Sequence, residues 1–362
     1  MAQVEFISRS AVQARFVLKG TDVAVANALR RAILSEVPNV AVREDVKIAV
    51  NTTSMHNEFM TKRICLIPLC FDEDEVLNDV AKRFKFVIDK RSASINGDQL
   101  TTRDIAILEA SGQPADPEFH RKIFPDPPIL IARLKQGEHV QLEFSACVGT
   151  AMEHCKFSPV STCAYFNTLD EAEVAKARAE AARGSGNGSA DVNKFETLTK
   201  YKLFQKNEMG EPCSFTFDIV SECRLSVGWI VDQAFAVLQA KLAAVAKKTQ
   251  VSPIADRLYA LVVPGEDHTV GNLVQVFVYN TYVRKNRIVD FIGYFEPHPL
   301  TKEIVFKVRF LEGVDNVPRF WDEALRLAGA HLAEVREVYA AASALPLGPL
   351  PKKKTSKKKT TL

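Results

Sequence analysis

One eight-residue phrase occurs twice, near opposite ends of the 362-residue chain. The first copy is Gly20-Thr21-Asp22-Val23-Ala24-Val25-Ala26-Asn27, and the second is Gly265-Glu266-Asp267-His268-Thr269-Val270-Gly271-Asn272. Gly, Asp, Val and Asn hold matching places, and a small residue precedes each Asn. An apolar, strand-like run leads into each copy, and a helix-like pattern follows. A chain built this way is expected to fold into two related units, each presenting a face to the other.

The first copy predicts a strand at 14–18 and a helix over about 23–37. Asp22 fits the N-cap, because its carboxylate can accept backbone N–H groups that the first turn leaves open. Val25, Ala28, Leu29, Ala32 and Ile33 recur at helical spacing and form one apolar stripe. Ala24, Ala26, Ala28 and Ala32 keep the helix slim, and Pro38 stops it. Strands are expected at 39–42 and 46–53, then a helical stretch at 55–63 and an apolar run at 64–69. Residues 84–88, 129–134 and 140–144 read as strands, with turns at Asn96-Gly97 and Gln136-Gly137. The proline-rich stretch 114–128 reads as a surface loop.

Residues 171–182 are helix-prone, and Gly184-Ser185-Gly186-Asn187-Gly188-Ser189 has the composition of a flexible linker. A strand at 215–220 and a long helix over 229–248 follow, the helix placing Ile230, Ala234, Val237, Leu238, Lys241, Leu242 and Val245 on one face. The second half repeats the plan: strand 258–263, helix 269–282, strands 291–295 and 304–310, and a final helix 318–342. The expected organisation is a first unit from 1–50 with 200–250, a β-rich insertion over 51–165, a linker over 166–199 and a second unit over 251–345. Residues 346–362 form a Pro- and Lys-rich tail expected to be disordered.

Several ordered motifs resemble one family. Asn27-Ala28-Leu29-Arg30-Arg31-Ala32-Ile33-Leu34-Ser35-Glu36-Val37-Pro38 is similar to the signature helix of the bacterial RNA polymerase α-subunit. The third-largest subunit of eukaryotic RNA polymerase II and its archaeal counterpart share that signature. Asn51-Thr52-Thr53, Glu58-Phe59, Arg63 and Leu66-Ile67-Pro68-Leu69 continue the resemblance in order, as does the stretch from Ala151 to Pro159 that holds Glu153, His154 and Lys156. The second copy resembles the small partner subunit, the eleventh of polymerase II or its archaeal counterpart, through 266–273, Gly293-Tyr294 and Pro297-His298-Pro299-Leu300. The resemblance implies an α+β fold: two α-subunit-type dimerisation half-domains paired within one chain, with a β-rich domain inserted in the first. It implies the fused arrangement of nucleocytoplasmic large DNA viruses.

The implied function is a non-catalytic assembly subunit of a multisubunit DNA-directed RNA polymerase. Val25, Leu29 and Ile33 would meet Val270, Leu273, Val274 and Phe277 between the half-domains. Asn27, Arg30, Arg31, Glu58, Arg63, Glu153, His154 and Lys156 would face the two largest subunits, which become the expected partners together with small scaffold subunits. DNA and RNA would be reached only through the complex, in the nucleus or a cytoplasmic viral factory, with packaging in the virion as a further expectation. Asn27 and Asn272 are poor helix-interior residues, so each is expected to hydrogen-bond a neighbouring element.

Charge and cysteine usage bear on the rival readings. The formal net charge is +3, yet six lysines crowd Lys352 to Lys359. The remainder carries 41 basic against 44 acidic side chains, about −3, which argues against a body that grips phosphate backbone. The alternative is a nucleic-acid module acting through the lysine tail, which reads equally as a nuclear-localisation signal or a solubilising end. Seven scattered cysteines point to reduced thiols in a cytosolic or nuclear protein. The N-terminus lacks the pattern of a signal peptide, and no membrane span is expected. Many relatives carry a cysteine cluster after the segment matching 66–69. Here Cys70-Phe71-Asp72-Glu73-Asp74-Glu75 has no CxxC, so neither metal nor cofactor is expected. Cys147, Cys155, Cys163 and His154 fit no zinc spacing. Asp267-His268-Thr269 reads as a capped helix start, with Asp267 or Thr269 as the cap, and Asp22 and Glu36 as a cap and a helix-face charge.

Overall fold

Two four-stranded antiparallel sheets repeat one topology, and each repeated phrase lies at the same place in its sheet. In the computed structural model, which describes residues 2–183, 192–222, 224–314 and 316–345, the chain opens with β1 (Gln3–Arg9), β2 (Gln13–Lys19) and α1 (Val23–Ser35). The linker expected at 184–189 and the lysine tail lie outside the described residues.

A β-rich stretch follows: β3 (Asn39–Val42), β4 (Lys47–Asn51), α2 (Asn57–Cys65), α3 (Glu73–Leu77), β5 (Phe84–Arg91), β6 (Asp98–Thr101), β7 (Ala106–Glu109), α4 (Pro117–Ile123), β8 (Leu130–Leu134) and β9 (His139–Gly149). Its main sheet runs β3-β9-β5-β7 with β4 also on β9, and β6 pairs with β8. Phe86 stacks on Phe144 across β5 and β9, ring centroids 5.1 Å apart. The chain then returns through β10 (Val160–Asn167), α5 (Glu171–Arg183), β11 (Ser214–Ser221) and α6 (Val227–Lys248). The second unit is β12 (Gln250–Ala255), β13 (Leu258–Pro264), α7 (His268–Val278), β14 (Val289–Phe295), β15 (Glu303–Phe310) and α8 (Val317–Ala344).

The first sheet is ordered β1-β2-β11-β10 and the second β12-β13-β15-β14. In each, a hairpin supplies the first two strands. The second strand runs through the repeated phrase into a short helix, and the third runs into a long one. The four helices lie together: α1 against α6 and α7, and α8 against α6 and α7. Burial bears out most of each stripe, but on α6 it leaves Val237 and Lys241 half-exposed and adds Val231 and Phe235. Val25, Leu29 and Ile33 of α1 and Ile230, Ala234, Leu238, Leu242 and Val245 of α6 all join one core.

Several expectations shift on this fold. The helix read at 55–63 runs from Asn57 to Cys65, and the stretch 114–128 contains α4, started by Pro117 at its first turn and capped by Asp116. Strand β10 lies partly within the stretch read as the insertion, yet it hydrogen-bonds to β11. Strand β3, read as part of the first unit, pairs with β9. The helix read as 269–282 is α-helical only to Val278 and continues as a π-type stretch, Tyr279–Lys285. Finally, α6 is 22 residues long and holds an 18-residue stretch of mean hydropathy 1.3, long and apolar enough to cross a membrane by those measures. The sequence reading of no such run missed it. Its apolar stripe is a core face; Asp232 and Gln239 off the stripe, and Lys241 on it, pair with neighbouring elements.

Candidate pairing interface and docking surfaces

Each phrase begins with a glycine that needs its missing Cβ. Gly20 and Gly265 have φ of 72° and 79°, a left-handed conformation that costs other residues energy. Each glycine N–H reaches across its sheet, Gly20 to the Cys213 carbonyl (2.9 Å) and Gly265 to the Lys302 carbonyl (2.6 Å). Two residues on, the chain is turned to start a helix. Asp22 accepts from the Val25 N–H at 3.0 Å, and Asp267 from the Thr269 N–H at 2.8 Å. Asp267, not Thr269, is therefore the cap of α7.

The apolar residues singled out by spacing are mostly buried. Val25, Leu29, Ile33, Val270, Leu273 and Val274 are all buried within one core cluster. Phe277 is half-buried at its margin, its ring 6.3 Å from that of His331 on α8. Burying side chains of this size stabilises by roughly 1.5–3 kcal/mol each. Further along, Phe6 and Phe16 of the first sheet pack on Tyr339 of α8, with Phe16 to Tyr339 centroids 5.2 Å apart, and Phe217 stacks on Phe16. The last helix of the second unit thus ends on the first sheet, where Arg9 hydrogen-bonds the carbonyls of Ser343 and Leu345.

Polar groups fix the register between the units. Arg31 of α1 donates to Thr269 Oγ1 at 2.7 Å and to Asp267 Oδ2 at 2.9 Å, so it grips the cap of α7. Beside it, Lys241 of α6 lies 2.6 Å from Glu36 and 3.6 Å from Glu266. At the other end, Arg336 of α8 holds Asp232 of α6 through two bonds of 2.6 and 2.7 Å and also reaches Gln239. Such fork-to-fork pairs add geometric specificity as well as energy. On the rim, Arg284 pairs with Glu211 at 3.0 Å.

The ionisable groups respond to burial in different ways. Burial pushes the Asp22 carboxyl above its ordinary value, against the hydrogen bond from the Val25 N–H and the nearby His331. Burial acts the same way on Asp267, but hydrogen bonds from Thr269 together with Arg31 outweigh it and hold its pKa below the ordinary value. Burial opposes the charge of Lys241, yet Glu36, Glu266 and Asp267 together raise its pKa. Glu266 is raised, chiefly by burial, and its Oε2 makes no hydrogen bond. The Cys163 thiol is pushed up by burial to about 12, which keeps it an unreactive core thiol. Among the described residues no group of three or more His, Cys, Asp and Glu is placed to hold a metal ion.

The residues expected to face large partners divide. Arg31 and Arg63 are committed inside the chain. Arg63 donates to the carbonyls of Ile131 (2.7 Å) and Leu130 (2.8 Å), tying α2 to β8. Asn27 accepts two bonds from Arg30 one turn along the same helix, rather than bonding a neighbouring element. Arg30 then lines a groove of about 550 Å³ with Val23, Cys163, Tyr165, Phe166 and Pro212. Glu58 and Glu153 are exposed. His154 and Lys156 converge on Glu44, 4.0 and 3.7 Å away, and His154 Nδ1 accepts from the Lys156 N–H. The sequence reading missed the partners of Arg336 and Lys241. A lysine on an otherwise apolar helix stripe was the available signal for the second.

With this geometry in place, comparison with known proteins is direct. Residues 15–242, more than half of the chain, match the family model of the RNA polymerase Rpb3/Rpb11 dimerisation domain. The chain belongs to that family. It is 34% identical over 173 residues to subunit 3B of DNA-directed RNA polymerases IV and V of Arabidopsis thaliana, covering 43% of this chain and 54% of that protein. It is 28% identical to RNA polymerase II subunit RPB3 of Schizosaccharomyces pombe over 66% of this chain and 83% of the relative. It is 24% identical to polymerase subunit Rpo3 of Thermococcus kodakarensis over 67% and 95%. The match spans about half the length of several of these curated relatives.

Proposed function

We propose that this chain is a non-catalytic assembly subunit of a multisubunit DNA-directed RNA polymerase, with two dimerisation half-domains fused and paired within it. The observation that carries the reading is the grip of Arg31 on Asp267 and Thr269, made between two units of identical strand order over a shared apolar core. The half-domains are residues 1–50 with 200–250 and residues 251–345. The β-rich insertion is 51–165, with β3 and β4 added to it and β10 assigned to the first half-domain. Fusion makes the pairing intramolecular, at an effective concentration on the order of millimolar for a short connection.

In this reading Arg30, Asn27, Glu58, Glu153, His154 and Lys156 face the two largest subunits, which supply catalysis and bind template, and small scaffold subunits join them. The chain meets DNA and RNA only through the complex and carries no catalytic site or cofactor. It works in the nucleus or in a cytoplasmic viral factory. The family match and the polymerase-subunit relatives support the class of function, and the residues of the α1–α7 junction support the pairing.

The test is mass spectrometry of proteins that co-purify with the tagged chain from its native source. Stoichiometric recovery of two large polymerase subunits is expected, and their absence would overturn the proposal. Leu29→Asp is expected to abolish that recovery.

A further inference from the structure

The two sheets share a strand order but not an outer surface. Aligned on Gly20 and Gly265, the outward positions of β2 are Gln13, Arg15, Val17 and Lys19. Those of β13 are Leu258, Ala260, Val262 and Pro264. Across the first sheet the adjoining strand adds Ser214, Thr216 and Asp218. Asp218 lies directly opposite Arg15, whose guanidinium covers Phe166. Val17, Ser214 and Thr216 at the middle of that face are buried, so what it leaves open is the exposed Arg15 and Phe166, with Asp218 only half-buried.

The second sheet is different. Register places Val262 beside Val305 and Val305 beside Phe295, with Leu258, Arg309 and Phe291 in the next outward row. Between those rows lie Ala260, Lys307 and Gly293. Phe291 and Phe295 are 48% and 44% exposed, and the Phe291 ring lies so close over Gly293 that a Cβ there would sit 2.9 Å from it. Two exposed aromatics flanking a smooth aliphatic floor are unusual on a solvated sheet face. Arg309 is neutralised by Asp290 at 2.6 Å. Lys307 rests 5.0 Å over the Phe295 ring and has no ion pair among the described residues.

We infer that the outer face of β13-β15-β14 is a docking surface for a polypeptide segment of a partner protein that presents apolar side chains and a carboxylate for Lys307. Charge selects this occupant over two others. The chain's own tail, 346–362, carries six lysines and would meet Lys307 with like charge. A second copy docking the same face by two-fold symmetry would bring Lys307 toward its own counterpart, which is also repulsive. An acidic, apolar segment instead supplies both the missing anion and the cover for Phe291 and Phe295. The inference does not depend on the polymerase reading.

The test pans phage-displayed peptides on the purified full chain, then measures a labelled synthetic copy of the enriched peptide by fluorescence anisotropy. Enriched sequences should combine acidic with apolar residues. Lys307→Glu and Phe295→Ser should each weaken binding by about ten-fold or more, as expected for losing a central anchor. A peptide with lysines in place of its acidic residues should bind Lys307→Glu better than the parent does. Arg15→Glu on the first sheet should leave affinity within about two-fold, as for a distant surface charge. Near-UV circular dichroism checks that each exposed-face variant keeps its fold, and Lys307→Gln gives a milder second variant. Four outcomes would overturn the inference: no enrichment of acidic–apolar peptides, equal weakening by Arg15→Glu, dimerisation in sedimentation velocity that Lys307→Glu removes, or binding that appears only after residues 346–362 are deleted.

Discussion

The helices α1 and α7 begin with the same phrase and serve the fold in unlike ways. Helix α1 is slim, Ala-rich and buried along a full stripe, and it reaches outward with Arg30 and across with Arg31. Helix α7 offers its cap to Arg31 and places Gly271 where α1 has Ala26. There the ring of Tyr294 comes so close that an added Cβ would lie 2.5 Å from it. The two units thus share a strand order while the contacts of their first helices differ. The sharpest break in that comparison comes from placing a charge at matching buried positions. Leu29 and Val274 are 1% and 0% exposed, two residues past each Asn. Leu29→Asp and Val274→Asp are each expected to cost about 3–5 kcal/mol, the scale for an uncompensated buried charge. Loss of the cooperative thermal transition measures it, and a variant that melts like the parent would show that its side chain escapes the shared core.

A smaller effect separates Gly271 from Ala26. Gly271→Ala gains helix propensity of about 1 kcal/mol, yet the clash with Tyr294 should reverse the sign and leave a net loss of about 1–3 kcal/mol. Pairing it with Tyr294→Leu should recover part of that loss in a double-mutant cycle. Ala26→Gly should lose about 1 kcal/mol from propensity alone, with no coupling to Tyr294. Equal coupling at both sites would mean the two helices are packed alike.

Adjacent arginines give a finer test. Arg31→Met removes two bonds between the units and is expected to destabilise by about 1 kcal/mol, given its partly exposed setting. Arg30→Met should stay within about 0.5 kcal/mol, because among the described residues Arg30 bonds within its own helix. Urea unfolding of the two variants side by side checks the contrast. If Arg30→Met proves the more damaging, the junction runs through Arg30 and the proposed docking role moves to Arg31.

Much of this was legible in the sequence. The stripe Val25, Leu29, Ile33 is periodic because one helix face is buried, and the caps follow from Asp at the turn. What was not legible depended on distant partners. Strand β12 holds Pro253 and follows a long helix without a turn signal, and only its pairing with β13 makes it a strand. Helix α4 hides in a proline-rich stretch because Pro is favourable at a helix start and unfavourable elsewhere. Arg31 and Arg63 looked like outward charges, since local pattern cannot tell a solvated arginine from one whose acceptors come from another element. Lys241 was the converse, a charge on an apolar stripe whose partners, Glu36 and Glu266, belong to two different elements.

The smallest effect distinguishes the two caps by pH. Asp22 has its pKa raised, so its carboxyl contributes stability below the ordinary value of 3.8 that is lost as pH rises through the raised one. Asp267 has its pKa lowered, so its contribution is present above 3.8 and is lost as pH falls through the lowered value. Asparagine keeps the capping function while removing the titration. The stability advantage of the parent over Asp267→Asn should therefore grow from pH 3 to pH 5, whereas its advantage over Asp22→Asn should shrink over the same interval. Urea midpoints across that range measure both. Arg31→Met should flatten the Asp267 profile and leave the Asp22 profile unchanged, because the guanidinium touches only the second cap. Parallel profiles for the two caps would mean that Arg31 does not set their difference, and the grip of α1 on α7 would lose its electrostatic part.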